Sequence, residues 1–187
     1  MKKTLYLMRH GQTLFNARRK IQGVCDSPLT PLGIQQAQKT REYLKDINFD
    51  HLYCSTAERT SDTLEIVTDN KMPYTRLKGL KEMNFGVFEG ESEDLNPAIE
   101  RYETFFLDYG GESRAMVKER MMKTCSEIME KDDHKTVLAV SHGGACVNFL
   151  LACDPSKQLK KRFSNCGILV FEYENKKFTF VEAIEQA

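Results

Sequence analysis

Short apolar runs alternate along the chain with longer stretches in which apolar and polar residues recur at helical spacing. The apolar runs are rich in Leu, Val and Tyr, and each ends at a glycine, serine or turn-forming residue. Runs of this length and composition predict short, buried β-strands. Strands are expected at Lys3–Met8, His51–Cys54, Tyr74–Leu77 and Thr136–Val140.

The stretches between these strands predict helices. Thr30 followed by Pro31 is typical of an N-cap and a first helical position, and the helix that they open is expected to reach about Lys45. A second N-cap is expected at Ser55, and Asn96-Pro97 predicts a helix that runs toward Leu107. The remaining helices are expected over 57–68, 113–131 and 144–152.

The last part of the chain predicts an antiparallel hairpin, with strands at Ile168–Tyr173 and Phe178–Val181. Leu14–Pro28 is expected to be an ordered loop, and Glu89–Asn96 a loop or a small helical insertion. Strands that alternate with helices and end in a hairpin predict an α/β fold. We expect a three-layer α/β/α sandwich around a mostly parallel, mixed sheet.

Composition excludes several classes of protein. The 27 basic and 27 acidic residues give a formal net charge of zero, whereas nucleic-acid-binding proteins usually carry a basic excess. No apolar run approaches the roughly 20 residues that a membrane-spanning helix requires, and the run after Lys3 is too short for a signal peptide. The chain is therefore expected to be cytoplasmic and to bind neither nucleic acid nor membrane.

The six cysteines are expected to be free thiols, since none lies in a CxxC pair that would indicate a zinc site. Cys146 and Cys153 are interpreted as small buried hydrophobic residues. A catalytic cysteine is a minor alternative, for which Cys54 is the best candidate.

Two predicted strands end in a histidine that glycine follows: Arg9-His10-Gly11 and Ser141-His142-Gly143. Ligands of open α/β sheets bind beyond the carboxyl ends of the strands, so both histidines are expected to face one pocket. A helix is expected directly after His142, and its N-terminal N–H groups favour an anion. His51 and His134 lack this setting and are interpreted as incidental.

An ordered set of motifs around these histidines resembles the histidine phosphatase superfamily, the phosphoglycerate-mutase-like group. The blocks occur in the family's order between residue 5 and about residue 167. They are Leu7-Met8-Arg9-His10-Gly11-Gln12-Thr13 with Asn16, Gln22-Gly23, Asp26-Ser27-Pro28-Leu29-Thr30-Pro31-Leu32-Gly33, Ser55 with Arg59, Glu82 with Phe85-Gly86 and Glu89-Gly90, Gly110-Gly111-Glu112-Ser113, and Val140-Ser141-His142-Gly143.

The resemblance implies a role for each residue of the pocket. His10 would attack phosphorus as a neutral imidazole and form a phosphohistidine. Arg9, Arg59 and His142 would clamp the phosphoryl oxygens, for which the planar fork of arginine is well suited.

Glu82 would act as the general acid and would then activate a water molecule to hydrolyse the phosphohistidine. Asn16 and Gly143 would contribute neutral hydrogen-bond donors. Gln22 and Gly23 would line the mouth of the substrate site. No cofactor and no metal ion are expected.

Residues 1–187 are expected to form a single histidine phosphatase domain with a small cap-like insertion at about 86–112. The short insertion holds only Arg101 and a flanking Arg114, not the adjacent arginines typical of glycolytic mutases in this family. We therefore expect a phosphatase that hydrolyses small phosphorylated metabolites. Two basic runs, Arg18-Arg19-Lys20 and Lys160-Lys161-Arg162, are interpreted mainly as surface charge, although the first could attract anionic substrates.

Three other functions stay open at this point. One is transfer of a phosphoryl group between phosphoglycerates, and another is a non-catalytic sensor of phosphorylated ligands. The third is a metallohydrolase that uses His10 and His142 as ligands, against which the neighbouring arginines argue. The sequence leaves the oligomeric state and the identity of the substrate open.

Overall fold

The computed structural model describes residues 2–157 and 162–185, in which one six-stranded sheet forms the centre. The strands are β1 Lys3–Arg9, β2 His51–Cys54, β3 Tyr74–Arg76, β4 Thr136–Ser141, β5 Ile168–Glu174 and β6 Lys177–Ile184. Their order in the sheet is β3-β2-β4-β1-β5-β6, in which β1 to β4 are mutually parallel, β5 is antiparallel to β1, and β6 is antiparallel to β5. This arrangement confirms the predicted mixed, mostly parallel sheet.

Helices cover both faces of the sheet, as the alternation of elements predicts. The helices are α1 Leu14–Ala17, α2 Pro31–Leu44, α3 Glu58–Thr68, α4 Arg114–Met129 and α5 Gly143–Cys153. In β4, Val137 and Ala139 belong to the core beneath α4 and α5, whereas Leu138 and Val140 belong to the core beneath α2 and α3. Successive side chains of a strand point to opposite faces, so a wholly apolar strand must be covered on both.

A side-chain cap marks the start of α2 but not the start of α3. The hydroxyl of Thr30 accepts a hydrogen bond from the N–H of Gly33, and Pro31 is the first residue of α2, as predicted. The predicted cap of α3 is wrong: Ala57 occupies the N-cap position and makes no side-chain capping bond. Ser55 lies two residues earlier, where its hydroxyl accepts the N–H of Ala57 and contacts His142.

The predicted helix from Asn96-Pro97 toward Leu107 is also wrong. This part of the chain forms two short 3₁₀ helices, Ile99–Arg101 and Phe105–Tyr109. Phe106 is fully buried and contacts other aromatic rings edge-on, so aromatic packing rather than helical periodicity fixes the segment. Three other 3₁₀ helices occur at Lys78–Leu80, Gly86–Phe88 and Glu93–Leu95.

Two further local differences concern loops. The segment predicted as a loop at 14–28 begins with the four-residue α1, whose N-cap Thr13 forms a capping box with Asn16. The C-terminal hairpin is confirmed, with a turn in which Asn175 and Lys176 both have positive φ. Within the described residues, no helix combines the length and apolarity that crossing a membrane requires.

Candidate active site

The carboxyl ends of β1 and β4 bring the two predicted histidines together. Arg9 and Ser141 are register partners at the ends of these neighbouring strands. His10 and His142 follow them, and their ring centroids lie 5.3 Å apart. A cavity of about 700 Å³ opens at this edge, and His10 lines it together with Arg9, Glu82 and Gly143.

Hydrogen bonds define which nitrogen of His10 carries a proton. Arginine has only donors, so the 3.3 Å contact from Arg59 Nε to His10 Nε2 makes Nε2 an acceptor. The Nδ1–H of His10 therefore donates to the carbonyl oxygen of Gly11 at 2.7 Å. The imidazole thus keeps its lone pair on Nε2, and a nucleophilic histidine requires an unprotonated ring nitrogen of this kind.

Burial and positive charge both keep the imidazoles neutral. Burial lowers the pKa of His10 well below its ordinary value, and the cations of Arg59 and Arg9 lower it further. The pKa of His142 is lowered by burial first and then by Arg59. Neither ring is expected to be protonated at neutral pH.

This electrostatic setting predicts that the folded state loses stability below about pH 6.5. In the unfolded chain His10 and His142 titrate near that value, but in the folded protein their pKa values are lower. The unfolded state then binds more protons as the pH falls, so the free energy of unfolding decreases by up to about 1.4 kcal/mol per pH unit for each histidine. Urea unfolding at pH 7.5, 6.5 and 5.5 measures the slope. His10→Gln should remove one histidine's share of it, and an unchanged slope in that variant would contradict the assignment.

Arg59 is fully buried beside His10, and protein acceptors occupy its guanidinium. Nη1 donates to the carbonyl oxygen of Cys25 and to Asp26, at 2.9 and 2.8 Å. Nη2 donates to the carbonyl oxygen of Gly23 and to Nδ1 of His142, each at 2.9 Å. Neither Arg59 nor His142 is among the residues that line the cavity. In this arrangement both side chains contact His10 without lining the cavity, and neither presents a free donor to a phosphoryl group.

His142 completes this buried network. Its Nδ1 accepts from Arg59, so its Nε2–H donates to the hydroxyl of Ser55 at 2.8 Å. That hydroxyl lies 2.9 Å from the hydroxyl of Thr60 on α3. The second histidine is thereby fixed in one tautomer and one orientation.

Glu82 occupies the N-terminus of α5, where the sequence predicted a bound anion. One carboxylate oxygen accepts the N–H groups of Met83 and Ala145, at 2.9 and 2.8 Å, and the other accepts the N–H of Gly144 at 2.8 Å. These bonds fix the carboxylate at the cavity wall. The carboxyl group of Glu82 therefore fills the position at this helix end where a ligand anion was expected.

Two N–H donors near His10 have no protein partner. Within the described residues, the Nε of Arg9 and the Nε2 of Gln22 are buried without a hydrogen bond. Both side chains line the cavity, and another polar atom of each has a partner: Arg9 Nη1 donates to the carbonyl oxygen of Phe163, and Gln22 Oε1 accepts from Ser27. A buried donor without a partner is costly, so these groups are suited to an incoming acceptor.

The other predicted substrate residues also lie at this edge of the sheet. Asn16 lines the cavity, and its amide oxygen accepts from Asn165 at 3.2 Å. Gly23 contributes its carbonyl oxygen to Arg59 and does not line the cavity. A Cβ added at Gly143 would lie 3.1 Å from Arg9 Nε, so a larger residue would crowd that donor.

Two residues of the site were not assigned a role from the sequence. Asn165 donates its amide to the carbonyl oxygen of His10 at 3.0 Å, and no motif pointed to it. Glu89 belongs to a motif that carried the resemblance. Its carboxylate accepts the N–H groups of four residues at 2.9 to 3.1 Å: Gly23, Val24, Cys25 and Phe85. It therefore shapes the loop whose carbonyl groups hold Arg59.

Glu89→Gln is expected to lower kcat about tenfold and to destabilise the fold by about 1–3 kcal/mol. The amide group of glutamine would oppose backbone N–H donors, so the loop that positions Arg59 would shift. Steady-state kinetics and urea unfolding measure the two effects. Glu91→Gln, an exposed neighbour, is the matched control and should behave like the wild type. Wild-type kcat in Glu89→Gln would contradict this role.

Basic side chains line the cavity from the neighbourhood of the neutral His10 to its rim. The rim includes Arg162, whose guanidinium pairs with Glu93 at 2.9 Å, and Arg114, whose Nε donates to Asn148 at 3.1 Å. Arg162 is exposed, as the surface-charge interpretation expects, and it also lines the cavity, whereas Lys160 and Lys161 lie outside the described residues. Among the residues that the structure describes, the cations that line the cavity are Arg9, Lys20, Arg114, Lys157 and Arg162, and the acids are Glu82 and Glu93.

The cysteine alternative has no support in this geometry. Cys54 is fully buried in the sheet, and burial raises the pKa of its thiol to about 11. All six cysteines are free, as predicted, although Cys153 is only partly buried.

Comparison with known proteins identifies the family. A model of the histidine phosphatase superfamily (branch 1) matches residues 5–186. The chain belongs to the histidine phosphatase superfamily. The resemblance inferred from the motifs is confirmed, because the match covers nearly the whole chain.

Named relatives include both mutases and phosphatases. A probable phosphoglycerate mutase GpmB from Proteus mirabilis is 32% identical over 183 residues, which cover 91% of this chain and 85% of the relative. A phosphoglycerate mutase structure from Bacillus anthracis superposes with a TM-score of 0.86 at 28% identity, covering 98% and 92% of the two chains. A phosphoserine phosphatase from Entamoeba histolytica, solved with 3-phosphoglyceric acid, gives 0.84 at 29% identity and 98% coverage of each chain.

Proposed function

We propose that the protein is a metal-independent phosphatase that hydrolyses small phosphate monoesters through a phosphohistidine at His10. The tautomer of His10 carries this proposal. The Nδ1–H of His10 is bound to Gly11, which leaves the lone pair on Nε2, and His10 and Glu82 line the same cationic cavity. Membership of the superfamily supports phosphatase or mutase chemistry.

In the first step, His10 Nε2 attacks phosphorus and the N–P bond forms as the bond to the ester oxygen breaks. Glu82 gives its proton to the leaving oxygen, so an alcohol departs and a carboxylate stays. In the second step that carboxylate takes a proton from water. The water oxygen attacks phosphorus, the N–P bond breaks, and phosphate leaves with His10 neutral and Glu82 again protonated.

The donors around His10 stabilise the charge on the phosphoryl oxygens during both steps. Nucleophilic attack uses the Nε2 lone pair, so the hydrogen bond from Arg59 Nε must break and this N–H becomes available to a phosphoryl oxygen. The unpartnered N–H groups of Arg9 and Gln22 supply two more donors. Burial lowers the pKa of Arg9 to about 10, which leaves it charged at neutral pH. His142 acts through Arg59, which it holds in place.

The wall of the cavity favours a leaving group that carries a second anionic group. Lys20, Arg114 and Lys157 line the cavity beyond His10, and Val147 and Leu150 of α5 form an apolar side. A compact phosphorylated acid fits this distribution, because its carboxylate or second phosphate would meet the cations.

Hydrolysis is favoured over transfer because the cavity is open and has no pair of arginines from the cap segment. The guanidinium of Arg101 lies over the ring of Phe105, 5.3 Å from its centroid. Of Arg101 and Arg114, only Arg114 lines the cavity. Water therefore has access to a phosphohistidine at His10.

Free thiols throughout the chain suit a reducing compartment, and we propose that the enzyme works in the cytoplasm.

The experiment is a panel of phosphate monoesters, including phosphoglycerates and phosphoserine, assayed for both phosphate release and isomerisation in the presence of excess EDTA. The proposal expects phosphate release from at least one acidic monoester, unchanged by the chelator. Isomerisation without phosphate release would establish a mutase. Binding of phosphate without turnover of any ester would indicate a sensor, and loss of activity in EDTA would indicate a metallohydrolase.

A further inference from the structure

A second cluster of ionisable side chains lies at the other edge of the sheet, where the parallel strands begin. His51 is the first residue of β2, and Asp133 and His134 come just before β4, the strand that pairs with β2. The cavity lies beyond the opposite ends of these strands. The cluster is therefore separate from the proposed phosphatase site.

Two imidazoles and one carboxylate converge in this cluster. The rings of His51 and His134 are stacked, with centroids 3.6 Å apart and planes 10° apart. Asp133 Oδ2 lies 3.0 Å from Nε2 of His51, and Asp133 Oδ1 lies 2.8 Å from Nδ1 of His134. One candidate ligand atom from each residue lies within 4.8 Å of the others.

A second layer of contacts orients the buried histidine. His134 is 2% exposed, and its Nε2 lies 2.7 Å from the hydroxyl of Tyr53. Lys131 donates to the same hydroxyl at 2.9 Å. Histidines that ligate metals usually bond their other ring nitrogen to such a group, which fixes the orientation of the ring.

We propose that His51, Asp133 and His134 bind a divalent transition-metal ion of the Zn²⁺ class. Two nitrogen donors and a carboxylate suit zinc, whereas Mg²⁺ and Ca²⁺ prefer oxygen ligands alone. On binding, each imidazole moves its proton to the other ring nitrogen, and His134 then donates from Nε2 to Tyr53. Water supplies the fourth ligand.

Access and flexibility favour the same three residues. The side chains of His51 and Asp133 are 34% and 70% exposed, so an ion can enter from solvent and the His51 ring can tilt off its neighbour to complete the geometry. The bound ion would link the start of β2 to the segment before β4. An ion that binds only the folded chain raises its stability.

Isothermal titration with Zn²⁺ tests the site, in a phosphate-free, non-chelating buffer and on a Cys25→Ser, Cys153→Ser background that removes the two partly buried thiols. We expect one equivalent to bind. Asp133→Asn and His51→Gln should each weaken binding by more than about tenfold. Asp132→Asn, which removes an adjacent exposed carboxylate outside the cluster, is the matched control and should bind as the parent does.

Thermal unfolding provides a second readout. Zn²⁺ should raise the melting temperature of the parent and of Asp132→Asn, and should leave that of Asp133→Asn unchanged. Absence of binding at millimolar Zn²⁺, or equal affinity in all three variants, would overturn the proposal. Neither assay depends on phosphatase activity, so this result and that of the ester panel can fail separately.

Discussion

His10→Ala is expected to lower kcat by about 10⁴-fold or more, because no other group at the site can form the N–P bond. The alanine removes Nε2, to which Arg59 donates, and leaves the other hydrogen bonds of Arg59 to Gly23, Cys25 and Asp26 in place. Phosphate binding should therefore persist while turnover is lost. Steady-state kinetics with the best ester of the panel and a phosphate-binding titration measure the two quantities.

His51→Ala is the control for this substitution, because it removes an imidazole at the opposite edge of the sheet. It should retain the wild-type rate. A His10→Ala protein that folds, binds phosphate and turns over at the wild-type rate would contradict the nucleophile assignment.

Glu82→Gln is expected to lower kcat by about 10²- to 10⁴-fold with little change in KM. Glutamine keeps an oxygen that can accept from Gly144 or Ala145 but has no proton to give and no carboxylate to activate water. The loss should be greatest for alkyl esters, whose oxygen needs protonation as it leaves. For a nitrophenyl ester the first step should be nearly normal and only the second slow.

Glu93→Gln provides the matched control, since Glu93 lines the same cavity but pairs with Arg162 at its rim. It should change KM more than kcat. Equal kcat for Glu82→Gln and the wild type on an alkyl ester would remove the acid role from Glu82.

The layout of the fold could be predicted because its signals are local. Thr30 and Pro31 determine the start of α2 through bonds within one helical turn, and Val137–Val140 must be a strand covered on both faces. The segment at 96–109, where a helix was expected, carries no such local signal. Phe106 packs there against the ring of Phe85, which is distant along the chain and comes close only after folding, so the expected helix gave way to 3₁₀ turns.

The sequence indicated most of the residues that converge at this edge of the sheet, with Asn165 as an exception, but not the direction of their bonds. Arg59 was expected to face the phosphoryl group, yet its guanidinium is directed to Gly23, Asp26 and His142. The position at the start of α5 where an anion was expected is filled by the carboxyl group of Glu82. His51 and His134 looked unrelated because only the pairing of β2 with β4 brings them together.

The central claim is a covalent bond between phosphorus and His10, and trapping that bond tests it most directly. Glu82→Gln should accumulate the intermediate from a nitrophenyl ester labelled in its phosphoryl group, because attack needs no acid there and hydrolysis lacks its base. After an alkaline quench we expect one label per chain, mapped to His10 and lost on acidification as a phosphoramidate bond is. A label on another residue, or a chain that turns over ester and never carries label, would contradict the account.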